Sequence, residues 1–291
     1  MPHKLCLTFF IDRLKSVRLV YFNIQTIDEE DIRSIPVLQK LILRENLLTS
    51  IHVRDHPKLT ELHISSKYLR AIQLHNLSHL TSLDARKSQK LNNIELTDLP
   101  RLQILKLVAC QLSKLPAIDL PMLVELDIRG NQLTSIQLHG LPQLTKLDMS
   151  QNEQLATIEL KDLPQLKKLS LKKCNLNEIP ALHRVLSLTE IDLSENRLMV
   201  LGGDIFEGLA NLKKLVLSGN NLMMLPDEIS MPLKNLEVLL LSTNKIARLP
   251  SSLLRMKNLK NIELYSNQLS NVSILTKMDS LTSVNVVSMF L

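Results

Sequence analysis

Leucine and other aliphatic residues recur along the chain with a period of 21 to 24 residues. The copy that begins at Leu144 reads Leu144-x-x-Leu147-x-Met149-x-x-Asn152, and the preceding copy, which begins at Leu123, has the same spacing. A fixed period of this length indicates one small structural unit repeated many times. The copies begin at Val17, Leu38, Leu59, Leu80, Leu102, Leu123, Leu144, Leu166, Leu188, Leu212, Leu236, Leu259 and Leu281.

Within each copy, the alternating pair of apolar residues predicts a short β-strand with its apolar face turned inward. One such strand cannot bury that face alone, whereas stacked copies bury a continuous core. The position after each strand should lie at a buried turn, where unpaired backbone groups need a partner. In nine copies this position holds Asn or Cys, namely Asn46, Cys110, Asn131, Asn152, Cys174, Asn196, Asn220, Asn244 and Asn267. Three early copies have other residues there, which are Gln25, Lys67 and Ser88.

The second half of each copy changes along the chain. In the copies of 21 to 22 residues it contains another alternating pair, such as Ile136 and Leu138, which predicts an extended conformation. In the later copies of 23 to 24 residues the apolar spacing is helix-like, as in the segments 203–212, 226–233 and 250–259. We therefore expect extended return segments in the N-terminal part and short helices in the C-terminal part.

The pattern L-x-x-L-x-L-x-x-N/C-x-L resembles that of the leucine-rich repeat superfamily, with nested repeats of 21–22 residues followed by typical repeats of 23–24. The resemblance implies an α/β solenoid, an arc or horseshoe whose concave side is a parallel sheet of about 13 strands. We expect a capping segment at 1–16 and one continuous domain at 17–291, with twelve full repeats and a partial last one. In this family the Asn and Cys side chains form a structural ladder.

Composition excludes several other classes of protein. The 65 leucines and 22 isoleucines exclude disorder, and no apolar run is long enough to predict a membrane span. No phosphate-binding loop or nucleophile–base pattern is present, which argues against an enzyme and against a cofactor. His52/His56 and His75/His79 have H-x-x-x-H spacing, but they fall in return segments predicted to be extended, so we expect no metal site.

We expect the residues between the strand leucines to face the concave side and bind a ligand. The net charge of +6 raises the question of nucleic acid, but the chain has three Tyr and no Trp for stacking. The resemblance favours a non-enzymatic scaffold that binds a protein ligand, extended and of mixed charge. The candidate ligand-binding residues are Arg86, Lys106, Asp127, Arg129, Asp148, Lys168, Lys172, Asp192, Leu240, Glu263 and Tyr265.

Two other functions stay open, a ligand-binding ectodomain fragment of a receptor-type or extracellular repeat protein and a binder of polyanions or nucleic acid. The lack of cysteine-rich flanking caps favours the cytoplasm for the chain as written, and a fragment of a longer secreted protein would be extracellular. The sequence ends on the apolar stretch 284–291, which would leave an exposed edge strand and favours the fragment interpretation.

Overall fold

The computed structural model describes residues 13–182 and 184–287. Most of the expected capping segment, residues 1–12, lies outside the described residues, as do the last four residues of the apolar C-terminal stretch. The described part contains one α-helix, α1 (Glu29–Arg33), and two 3-10 helices, Ser251–Arg255 and Leu275–Lys277.

The described residues form eighteen short strands. In chain order these are β1 (Ser16–Arg18), β2 (Lys40–Arg44), β3 (Ser50–Arg54), β4 (Glu61–Ser65), β5 (Ala71–His75), β6 (Ser82–Asp84), β7 (Asn93–Thr97), β8 (Ile104–Lys106), β9 (Glu125–Asp127), β10 (Ser135–Leu138), β11 (Lys146–Asp148), β12 (Thr157–Leu160), β13 (Lys168–Ser170), β14 (Glu190–Asp192), β15 (Lys214–Val216), β16 (Val238–Leu240), β17 (Asn261–Glu263) and β18 (Ser283–Asn285).

Thirteen of these strands form one large parallel sheet, and the other five form two smaller parallel sheets on the return side of the repeats. The expectation of a solenoid with a parallel sheet of about 13 strands is therefore confirmed. The chain separates into two compact units by its internal contacts. The first runs to Leu133 and includes Gly140–Leu144, and the second contains Thr134–His139 and the residues from Thr145 onward.

In the first unit the large sheet runs β1-β2-β4-β6-β8-β9, and corresponding leucines pair across neighbouring strands. Leu41 lies opposite Leu62, which lies opposite Leu83, and all three side chains are almost fully buried. The return halves pair as β3-β5-β7, as the alternating pattern predicted. The short helix α1 was not predicted, and its first turn holds three acidic residues, which favour a helix N-terminus.

The register corrects the first repeat by three residues. Val17 pairs with Leu41, which is the fourth residue of its repeat, so Val17 occupies the fourth position and not the first. The first residue of this repeat is Leu14, and the position after the strand is Phe22, not Gln25. Valine and leucine fit either position equally well, which is why the spacing alone did not separate them.

In the second unit the sheet runs β11-β13-β14-β15-β16-β17-β18, with β10 paired to β12 on the return side. Only one of the three segments expected to be helical, that of residues 250–259, contains a helix, and it is the 3-10 helix that begins at Ser251. The segments 203–212 and 226–233 consist of turns. Gly203 and Gly208 in the first and Pro232 in the second disfavour a continuous helix.

A left-handed backbone residue follows most strands of the large sheet, a few residues after the strand ends. The residue before the Asn or Cys position has a positive φ in all nine repeats that carry Asn or Cys there, for example 55° at Thr243 and 72° at Gly219. This conformation reverses the chain direction without cost for glycine, but it costs a side chain with a Cβ roughly 1–2 kcal/mol. The repeats therefore store a small strain wherever the residue is not glycine.

We predict that Thr243→Gly raises the free energy of unfolding by about 0.5–1 kcal/mol, because it relieves a β-branched residue with φ of 55°. Urea denaturation followed by circular dichroism would measure the change. The matched control is Gly219→Ala at the same repeat position, where an added Cβ would lie 3.3 Å from the Glu195 nitrogen. Gly219→Ala should have a lower free energy of unfolding than the wild type. If both substitutions change the free energy of unfolding in the same direction, backbone strain at this position is not the cause.

Candidate ligand-binding face

A row of buried asparagine amides joins neighbouring repeats at the turns that follow the strands of the large sheet. The Oδ1 atom of Asn131 accepts hydrogen bonds from the backbone N–H groups of Cys110 and Leu112, at 3.0 and 3.1 Å. Its Nδ2 atom donates to the carbonyl oxygens of Leu107 and Ile128, at 2.8 and 2.7 Å. One side chain thus bonds backbone groups of two repeats, and Asn46 and Asn196 make the same kind of bonds.

Further along the chain the ladder includes Asn220, Asn244 and Asn267, each of which also bonds backbone groups of a neighbouring repeat. Asn152 is fully buried, and its Nδ2 atom donates to the carbonyl oxygen of Met149 at 2.8 Å. These positions fix the backbone from which the face side chains project.

Cysteine and serine occupy further positions of this row. The thiol of Cys110 donates to the carbonyl of Ala85 at 3.2 Å, and that of Cys174 donates to Met149 at 3.3 Å. Both cysteines are free, and burial raises the pKa of each thiol to about 11. Ser88 is buried at its assigned position, and its hydroxyl has no partner among the described residues.

The third repeat differs from the sequence assignment. Ser66, not Lys67, is the buried residue after β4, and its hydroxyl donates to the carbonyl of Leu48 at 2.8 Å. Lys67 is exposed. The serine was missed because the fixed spacing from the strand leucines selects the next residue, and only the path of this turn reveals the difference.

Above this layer, the large sheet has a solvent-facing side that we call the sheet face. It consists of the residue before and the residue after each paired strand leucine, together with the third residue after that leucine. In the first unit the candidates Arg86, Lys106, Asp127 and Arg129 belong to this face, and in the second unit Asp148, Lys168, Lys172, Asp192, Leu240, Glu263 and Tyr265 do.

A polar network spans three strands of the first unit. Arg44 on β2 donates to the Nδ1 atom of His63 on β4 at 2.8 Å and to the Asp84 carboxylate on β6 at 2.7 Å. Arg86 also contacts Asp84, at 2.8 Å. Burial lowers the pKa of His63, and the Arg44 charge lowers it further, so a neutral ring accepts the hydrogen bond. Arg86 is the one residue of this network that the sequence pattern predicted as a candidate ligand-binding residue.

Two of the acidic residues on the face are buried. Asp84 is 3% exposed and Asp127 is 4% exposed. Each lies under an arginine two residues later, since Arg86 and Arg129 fold back onto them at 2.8 and 3.2 Å. A ligand would therefore meet the arginine at these two places rather than the carboxylate.

The charges of the second unit are largely paired across neighbouring strands. Lys168 contacts Glu190 at 2.7 Å, and Lys172 contacts Glu195 at 2.8 Å. The basic residues of one repeat thus face the acidic residues of the next, because the register places them side by side. This part of the face therefore carries ion pairs between repeats.

A shallow depression of about 200 Å³ lies on the sheet face of the second unit. Lysine and acidic side chains surround it, and Val216 forms its apolar border. Lys214 at this border makes no ion pair among the described residues. The neighbouring strands continue the apolar surface with Val238 and Leu240, and Tyr265 beyond them is 38% exposed. Charged and apolar groups are therefore adjacent on one surface.

Within the described residues, no cluster of three or more His, Cys, Asp and Glu side chains is arranged to hold a metal ion. His56 is buried, and its Nε2 atom lies 3.0 Å from the carbonyl oxygen of Ile35. It is thus a hydrogen-bonded core residue, whereas His52 is exposed on β3. No helix in the described part is long and apolar enough to cross a membrane.

We predict that Asn131→Ala lowers the free energy of unfolding by about 1–3 kcal/mol, because it leaves buried backbone N–H and C=O groups unpaired. Urea denaturation would measure the loss. The exposed Asn177, whose side chain forms no hydrogen bond with the described residues, serves as the control, and Asn177→Ala should change stability by less than about 0.5 kcal/mol. Equal effects of the two substitutions would contradict the ladder.

The Asp84 carboxylate predicts a pH dependence of stability. Burial raises its pKa, but the hydrogen bonds of Arg86 and the charges of Arg86 and Arg44 outweigh burial, so the pKa is lower than the ordinary 3.8. Because the pKa of Asp84 is lower in the folded than in the unfolded protein, the carboxylate stabilises the fold at pH values above its unfolded pKa. This stabilisation is lost as the pH falls through the folded pKa.

Asp84→Asn should therefore destabilise the protein at neutral pH and weaken the dependence of its unfolding free energy on pH below about 4. Urea denaturation of the wild type and the variant at several pH values would show this. An acid dependence as steep in the variant as in the wild type would mean that Asp84 is not the group responsible.

Two leucine-rich repeat family models match the chain. The model described as "Leucine rich repeat" matches residues 186–246, and the one described as "Leucine Rich repeats (2 copies)" matches residues 121–163. None of the curated proteins matches this chain.

Solved structures share the fold. The functional domain of InlJ from Listeria monocytogenes, described as including a cysteine ladder, is similar over 94% of this chain with a TM-score of 0.59 and 22% identity. The leucine-rich repeat protein LIC12759 of Leptospira interrogans is similar over 95%, with a TM-score of 0.58 and 21% identity. The chain spans 53% of the length of the first and 67% of the second. With its repeat register, its asparagine and cysteine row and these similarities, the chain is a leucine-rich repeat protein.

Proposed function

We propose that this protein is a non-enzymatic scaffold that binds a protein ligand on the sheet face of its second unit. Leucine-rich repeat folds are generally protein-interaction scaffolds. The observation that carries the proposal is the adjacency of the charged depression to the apolar surface of Val216, Val238 and Leu240. Protein-binding surfaces commonly combine an apolar centre that supplies affinity with charged surroundings that select the partner.

The side chains that are free to meet a ligand lie at both ends of this surface. Lys214 at the depression and Glu263 and Tyr265 beyond the apolar residues form no ion pair or side-chain hydrogen bond among the described residues. A ligand therefore gains contacts there without breaking existing ones. By contrast, Lys168 and Lys172 already contact Glu190 and Glu195, so they contribute a charge pattern rather than free cations.

The dimensions favour an extended segment. From β13 to β17 there are four strand spacings of about 4.8 Å each, which span roughly 20 Å. An extended chain covers this distance with about six residues. Such a segment would place an acidic group near Lys214, apolar side chains on Val238 and Leu240, and a polar or basic group near Glu263. A mixed-charge protein segment fits this order.

The same pairing disfavours nucleic acid as the ligand. Binding to a phosphate backbone needs several cations that release counterions. On this face the lysines of β13 and of the loop after it are neutralised by glutamates of the next repeat. Tyr265 is the one aromatic side chain of the described sheet face in this unit, so stacking platforms for bases are also few.

The test uses peptides selected from a random displayed library on the immobilised wild-type chain. The variant exchanges the ion pair, Lys168→Glu with Glu190→Lys, which preserves net charge and the salt bridge but reverses the pattern. We expect the affinity of face-binding peptides to fall by about tenfold or more, because like charges meet at the contact. Biolayer interferometry would measure the dissociation constants.

The control exchanges a matched ion pair on the return side of the same unit, Lys161→Glu with Glu159→Lys. It should leave the affinity unchanged, and both variants should melt within a few degrees of the wild type. If every selected peptide binds the Lys168/Glu190 exchange variant as tightly as the wild type, the sheet face of this unit is not the binding surface.

A further inference from the structure

Four exposed apolar side chains lie together at the side of the second unit, outside the sheet face. Met199 and Val200 follow the ladder asparagine of one repeat, and Met223 and Met224 hold the same positions in the next. They are 61%, 70%, 65% and 43% exposed. We call them the methionine patch. Contiguous apolar surface of a few hundred Å² on a soluble protein marks an interaction site more often than scattered exposed residues do.

The backbone holds these segments side by side. The N–H group of Asn221 donates to the carbonyl of Leu198, and that of Lys245 donates to Leu222, at 2.8 and 2.9 Å. The N–H group of Ala247 donates to Met223 at 3.3 Å, which continues the register into the patch. Met199 therefore lies next to Met223, and the patch ends at Ala247 in the following repeat.

Basic residues border this patch on two sides. Arg197 and Lys245 lie between it and the ladder, and Arg248 holds the position of Met224 in the next repeat. All three are exposed, and none forms an ion pair among the described residues. The preceding repeat places the acidic Glu178 at the position of Val200. The border is thus mainly basic, with one acidic side that can orient a ligand.

We propose that the methionine patch docks a short amphipathic helix of another protein, with an apolar stripe and acidic residues along one edge. Methionine side chains are flexible and polarisable, so they adapt to different apolar partners. Successive turns of a helix rise about 5.4 Å, which is close to the strand spacing of about 4.8 Å between repeats. A helix lying across the repeats places one apolar side chain over each pair of patch residues.

A second copy of this chain fits the patch less well. Stable dimers bury about 800 Å² per partner, more than these four side chains offer. The chain also carries a net charge of +6, so two copies repel each other, whereas an acidic segment is attracted to the three unpaired cations. The small area predicts weak, reversible binding of a short segment.

The probe is a set of designed 14-residue amphipathic helical peptides with a fluorescent label, measured by anisotropy on the full chain. One peptide has a leucine stripe with glutamate flanks, a second has the same stripe with lysine flanks, and a third has serine in the stripe. We expect the glutamate-flanked peptide to bind at least tenfold more tightly than the other two. Equal binding of the first two would overturn the proposal.

Two double variants and one control variant locate the binding. Met199→Ser with Met223→Ser should weaken the glutamate-flanked peptide by about tenfold, while Met231→Ser, which is also 61% exposed but outside the patch, should not. Arg197→Glu with Arg248→Glu should shift the preference toward the lysine-flanked peptide. If Met231→Ser weakens binding of the glutamate-flanked peptide as much as the patch variant does, the proposal is overturned. It is also overturned if the chain self-associates in sedimentation experiments and the patch variant abolishes that self-association.

The Lys168/Glu190 exchange should leave binding of the glutamate-flanked peptide unchanged. Failure of the methionine-patch proposal is therefore distinguishable from failure of the sheet-face proposal.

Discussion

The structure depends on one constraint, which is that every repeat must bury the polar backbone of the turn that follows its strand. A stacked core of leucines excludes water from this turn, and each backbone N–H or C=O group left unpaired there would cost about 1–3 kcal/mol. Asparagine solves the problem because its amide both donates and accepts, and it is long enough to bond two repeats at once. The bonds of Asn131 and Asn196 show this arrangement. Cysteine, which donates only weakly, satisfies fewer of these groups.

This regular backbone controls the surface above it. Residues one repeat apart in sequence become neighbours about 4.8 Å apart in space. A lysine and a glutamate separated by 22 residues, such as Lys168 and Glu190, therefore form an ion pair although nothing in their local sequence suggests it. The same geometry lets Arg44 reach across β4 to Asp84. The face is consequently a surface of mutual pairs, and the few side chains without a partner are those best able to select a ligand.

The surface of this chain is determined by the positions that the repeat pattern does not assign to leucine or asparagine. The leucine and asparagine positions are committed to folding, and exchange of their side chains would damage the core. The positions between them differ from repeat to repeat, and they build two surfaces of different character in the second unit. The sheet face combines paired charges with Val216, Val238 and Leu240, whereas the methionine patch is apolar with a border of unpaired cations.

The sequence by itself determined the repeat, the parallel sheet, the extended return strands near β3, β5 and β7, and the identity of most ladder residues, because leucine spacing directly reflects burial. Tertiary structure alone decided the rest. Strand pairing decided the position of Val17 within its repeat, because valine fits the first and the fourth position equally well. The path of the turn after β4 decided that Ser66 is buried there and not Lys67. The burial of Asp84 and Asp127 depends on arginines that fold over them. Residues that contact each other across repeats are more than twenty residues apart in the chain. A pattern along the sequence therefore shows where such contacts can form but not which side chains make them.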